Sequence, residues 1–99
     1  MSKEIKINGV SFENVSGSRE RAEIVGRFQS ARNQGYTDLF DVYSNVSKNK
    51  YVPFKRWAEF FRGGEMYIST VSRWMFTLAG EKDGNIYLIT KDHYKVVLA

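Results

Sequence analysis

Between Lys48 and Arg62, five cations (Lys48, Lys50, Lys55, Arg56 and Arg62) are interleaved with five aromatic residues. The rings are Tyr51, Phe54, Trp57, Phe60 and Phe61, and Glu59 is the sole carboxylate of the stretch. Cations neutralise phosphates and rings stack on bases, so the pattern has the chemistry of a nucleic-acid surface. A plainer reading competes with it. Phe54, Trp57, Ala58 and Phe61 fall at helical offsets 0, 3, 4 and 7, which is a core face with the cations as its solvated rim.

His93 beside Asp92 is the one pair that hints at acid–base chemistry. A general base needs a nucleophile or proton donor arranged around it. The chain has no Gly-x-Ser-x-Gly, Walker, His-Glu-x-x-His or Rossmann motif. A small basic ribonuclease needs a second acid–base partner, and none stands out. A non-enzymatic protein is therefore expected, with His93 in a surface or edge role. No cysteine and one histidine remove disulfides, thiolate chemistry and multi-histidine metal sites, so no metal or cofactor is expected.

Ninety-nine residues, 42% hydrophobic and 26% charged, make one small globular domain, residues 1–99. The net charge of +4 is modest. It is uneven: residues 1–49 carry seven basic and six acidic groups, residues 50–99 eight and five. Apolar stretches are too short to span a membrane, and the start lacks a signal-peptide pattern, so a cytoplasmic location is expected.

The elements that position these residues follow from periodicity. Glu4-Ile5-Lys6-Ile7, Asn8-Gly9 and Val10-Ser11-Phe12 read as a hairpin, because both turn positions take positive φ. Ser16-Gly17-Ser18 offers an N-cap, and a helix follows to about Asn33 with Ile24, Val25, Phe28 and Ala31 on its buried stripe. Gly35 is a plausible stop. Residues 37–47 favour a helix capped by Thr37, with a short strand as the alternative. Pro53 suits the first turn of a helix that Gly63-Gly64 ends.

Residues 66–79 fit two templates: alternation from Met66 to Leu78, or a helical stripe of Tyr67, Val71, Trp74, Met75 and Leu78. Phe76–Ala79, a turn over 80–84 and Asn85–Ile89 read as a hairpin under either. Tyr94–Leu98 is a last strand or a short helix.

The second half resembles winged helix-turn-helix DNA-binding proteins of the phage excisionase and MerR type. Tyr51-Val52-Pro53-Phe54-Lys55-Arg56-Trp57-Ala58 is similar to the opening helix of that family, Ser69-Thr70-Val71-Ser72-Arg73-Trp74 to its recognition helix, and Lys82-Asp83-Gly84-Asn85-Ile86-Tyr87-Leu88 to its wing. The resemblance implies a helix over 68–76, held by Val71, Trp74 and Met75. Ser69, Thr70 and Ser72 would then face phosphates, Arg73 would reach guanine acceptors, and Lys82 and Asn85 would meet the backbone from the wing tip. Without that helix, residues 66–98 become an antiparallel meander.

The expected fold is α+β: an N-terminal β-hairpin, two or three helices, and a C-terminal antiparallel hairpin or meander, with the winged helix as one form of it. The expected function is a small nucleic-acid-binding regulatory protein, with DNA the expected ligand and no membrane partner. The alternative is a phage-type protein-binding module that docks or inhibits a host protein, on the strength of surplus aromatics and strands at both ends.

Overall fold

The computed structural model describes residues 3–33, 54–71, 74–90 and 93–99. Strands β1 (Glu4–Ile7) and β2 (Val10–Asn14) pair antiparallel across Asn8-Gly9. The φ values of 52° and 79° at these two residues are the positive pair that a two-residue hairpin turn demands. That turn sets the register: Ile7 faces Val10, and Glu4 faces Glu13.

Helix α1 (Glu20–Asn33) starts where the Ser18 hydroxyl accepts from the Glu20 N–H at 3.2 Å, the capping expected of this serine. Ile24, Phe28 and Ala31 of the anticipated stripe are buried, and Val25 is half-buried. Helix α2 (Phe54–Phe60) buries Trp57 and Phe60, and Phe61 follows directly into the core. The expected helix over 37–47 and its Gly35 boundary lie outside the described residues.

Strands β3 (Glu65–Val71), β4 (Trp74–Lys82), β5 (Asn85–Ile89) and β6 (Tyr94–Val97) form an antiparallel meander. The helix over 68–76 is thereby corrected where it is described: residues 68–71 and 74–76 belong to two paired strands, and Val71 stands opposite Trp74 rather than beside it on a helix stripe. The turn expected over 80–84 shrinks to Asp83-Gly84, again a positive-φ pair at 53° and 81°. Gly80 is a strand residue, paired with Met66 and Tyr87, and a Cβ there would run into the Phe61 ring. The last segment is a strand, not a helix.

The sheet order is β1-β2-β6-β5-β4-β3. The β2–β6 pair is parallel, Glu13 beside Lys95 and Asn14 beside Val96, and the Val15 N–H extends it to the Val96 carbonyl at 3.0 Å. This one join fuses the N-terminal hairpin to the meander. The two helices cover opposite faces. Trp57, Phe60 and Phe61 pack on Phe12, Leu78, Tyr87, Ile89 and Val96. On the other face Ile24 meets Val15, Leu88 and Val97, while Phe28 and Ala31 meet Tyr67 and Ala79.

Candidate functional site

The interleaved rings of 48–62 belong to the core wherever they are described. Trp57, Phe60 and Phe61 are at most 6% exposed. Their edges meet neighbouring rings at centroid distances of 5.0 Å (Phe60–Tyr87), 5.3 Å (Trp57–Tyr94) and 6.0 Å (Phe12–Trp57). Such edge-to-face pairs stabilise a core and leave no face for a base to stack on.

The anticipated phosphate contacts separate into groups. Lys48, Lys50, Ser72 and Arg73 lie outside the described residues. Lys55 and Arg56 belong to α2, Ser69 and Thr70 to β3. Arg62 is exposed in the turn after α2. Lys82 and Asn85 flank the Asp83-Gly84 turn, and both are engaged internally. The Lys82 ammonium donates to the Phe60 carbonyl and lies 5.1 Å from the Phe60 ring, so it closes the C-terminal end of α2. Asn85 donates to the Tyr87 hydroxyl at 3.3 Å and accepts from the Ala99 N–H at 2.9 Å, tying down the last residue.

Charge follows the same division. Residues with described side chains carry nine Lys and Arg against eight Asp and Glu, so most of the +4 excess belongs to the other stretches.

One concave surface was not anticipated. Helix α1 lies mainly over β3, β4 and β5 and touches β6 near its own start, through Ile24 on Val97 and Glu20 on Lys95. A groove of about 580 Å³ opens there, with Glu4, Ser11, Glu13, Glu20 and His93 on its walls. Beside it the Lys95 ammonium bridges Glu20 and, at 4.0 Å, Glu13. His93 is exposed and contributes backbone: its N–H donates to Thr90 Oγ1 at 3.1 Å, and its carbonyl accepts from the Thr90 N–H at 2.8 Å. Among the described residues no group of three or more His, Cys, Asp or Glu can hold a metal. The signal for the groove lay in the turn. Once Asn8-Gly9 closes the hairpin, counting outward sets Glu4 against Glu13, a like-charge pair that cross-strand energetics disfavour.

A third polar feature sits under the opposite end of α1. The Tyr67 hydroxyl donates to Glu65 Oε2 at 2.8 Å, and its ring meets Phe28 edge-on at 5.4 Å. Donation to that carboxylate, with burial, raises the phenol pKa above its ordinary value.

The sheet ends in two edges. Among the described residues, β1 and β3 each pair on one side alone. β1 is four residues with two charges, and β3 is seven residues with Glu65 its single charge. No described helix is long and apolar enough to cross a membrane. No family model, curated protein or solved structure matches this chain.

Proposed function

We propose that the chain is a non-enzymatic protein-binding module that takes an extended partner segment along the outer edge of β3. The observation that carries this reading is the contrast between the two edges. Among the described residues, a long strand with one charge leaves a row of backbone donors and acceptors available for strand addition, whereas short, charged edges resist it. With a helix on each face, the broad apolar surfaces of the sheet are already used for folding. A photo-crosslinking side chain at Ser69, compared with one at the exposed Gln29 of α1, tests the reading in nuclease-treated lysate. A discrete protein adduct at position 69 but not at 29 is expected. Adducts that vanish with nuclease, or that form equally at both positions, overturn it.

Nucleic-acid binding is the second reading. Arg19, in the turn before α1, and Arg21 and Arg32 of α1 are exposed, and Arg21 and Arg32 stand eleven residues apart, on one side of the helix. The cations at 48, 50, 55 and 56 add to the positive excess. Fluorescence anisotropy on duplex and single-stranded probes separates the readings. Binding that falls steeply between about 50 and about 200 mM salt supports this one, because phosphate contacts release counterions. No micromolar binding at the lower salt removes it.

A further inference from the structure

We infer that the segment taken by the β3 edge is an antiparallel strand with a lysine or arginine near its C-terminal end, held opposite Glu65. The inference rests on the strand addition proposed above and names the partner's chemistry. Its starting point is the direction of the backbone groups. Lys82 and Asn85 flank the two-residue Asp83-Gly84 turn and stand in register, so they exchange both backbone bonds. Alternation along β4 then turns the polar groups of Lys82, Gly80 and Leu78 toward β5 and those of Glu81, Ala79 and Thr77 toward β3. Glu65, Tyr67 and Ser69 face those three and direct their backbone bonds inward, so the N–H and C=O groups of Met66 and Ile68 point outward. The register shift between Ser69 and Val71 ends this regular edge.

Glu65 stands opposite Glu81, on the face where Tyr67 and Ala79 pack under α1. Like charges directly opposite one another repel. The Tyr67 hydroxyl donates to Glu65 Oε2, which leaves the carboxylate charge in place. Among the described residues neither carboxylate is in an ion pair. That includes the exposed Arg32, in the last turn of α1, and the exposed Arg62, in the turn before β3. Glu65 is itself exposed and Glu81 half-buried, so this row of the sheet reaches the edge as two negative charges.

An added antiparallel strand, the more stable pairing per residue, bonds to Met66 and Ile68. Its residue opposite Glu65 then falls in a non-hydrogen-bonded pair, where Cα atoms approach to about 4.5 Å and side chains come closest. A cation at that position meets Glu65 with Glu81 behind it and offsets the repulsion between them. A carboxylate there adds a further like charge to the same row. The one charge on this edge thus disfavours promiscuous pairing and selects a basic segment. Because the strands run in opposite directions, the cation lies four positions toward the C-terminus from the partner residue opposite Ser69.

Selection of a displayed library of random peptides, each about nine residues long, on the full chain tests this. A photo-crosslinking side chain at Ser69 identifies the peptides bound at this edge and the peptide residue opposite it, and circular dichroism checks the fold of each variant. Edge-bound peptides are expected to carry Lys or Arg four positions after the crosslinked residue. Glu65→Gln keeps an acceptor for Tyr67 and should weaken such a peptide about threefold. Glu65→Lys should weaken it roughly tenfold and, used as bait, should select Asp or Glu at that position instead. Edge-bound peptides with no charge preference there, with the cation before the crosslinked residue, or with equal affinity for both variants and the wild type overturn the inference and leave strand addition standing. A selection with no peptide crosslinked at position 69 overturns strand addition and the inference with it. Crosslinks that join two copies of this chain, or two parts of one copy, put another occupant on the edge and also overturn both.

Discussion

The two faces of the sheet are built on different principles. Under α2, a helix of seven residues is held by a ring cluster in which Phe12 alone contacts Trp57, Phe60, Tyr87 and Tyr94 at centroid distances of 5.1 to 6.4 Å. Under α1, twice as long, the contacts are mostly aliphatic, and Phe28–Tyr67 is the one aromatic pair among the described residues there. A short helix presents few side chains, so each must bury much area, and aromatic residues supply it. A long helix spreads its burial over β3, β4 and β5 and, at its start, onto Val97 of β6, and the groove walls beyond that point are polar. The groove beside Lys95 is a consequence of that coverage.

Truncation is the strongest way to break the contrast. Phe12→Ala is expected to cost about 4 kcal/mol in urea unfolding, the middle of the range for a buried ring. Phe28→Ala should cost less by about 1 kcal/mol, because it loses one edge-to-face pair rather than several. Equal losses would mean that ring contacts add nothing beyond buried area.

Gly80→Ala probes the seam between α2 and the sheet. The added methyl meets the Phe61 ring and the Glu65 carbonyl, so about 2 kcal/mol of destabilisation is expected. A neutral result would mean that Phe61 moves aside freely. Lys95→Ala tests the polar side. It removes a cation, 17% exposed, from Glu13 and Glu20, and about 1 kcal/mol should be lost, with a larger loss at low salt.

The smallest effect is a pH dependence. The Tyr67 phenol ionises at higher pH in the folded chain than in the unfolded one. Its contribution is fully present below the ordinary tyrosine value near pH 10 and is lost as pH rises through the folded-state value. Tyr67→Phe is expected to cost about 1 kcal/mol at pH of about 8. The gap between wild type and variant should narrow above pH 10 or so; a constant gap would mean that the bond to Glu65 does not govern ionisation.

The elements that were readable in advance are those decided locally. Asn8-Gly9 and Asp83-Gly84 accept positive φ more readily than most residue pairs, so the first hairpin with its register, and the second with its turn placed within 80–84, follow from the residues themselves. Ser18 and the Ile24–Phe28–Ala31 spacing likewise delimit α1. The aromatic run at 54–61 was legible as a helix, but its role was not. The same spacing serves a buried face or a binding face, and only the position of Phe12 and Tyr87 across from it commits Trp57 and Phe60 to the core.

Residues 66–79 were undecidable alone because both periods fit them. Pairing resolves the choice: Met66 meets Gly80, Ile68 meets Leu78, and β5 continues the sheet from β4. A strand's hydrogen-bond partners lie on other segments, so its stability is not a property of its own residues. Local chemistry therefore set the turns, the cap and the helix stripes. Long-range pairing and the reach of each helix set the meander, the parallel β2–β6 join, the groove and which strands became edges.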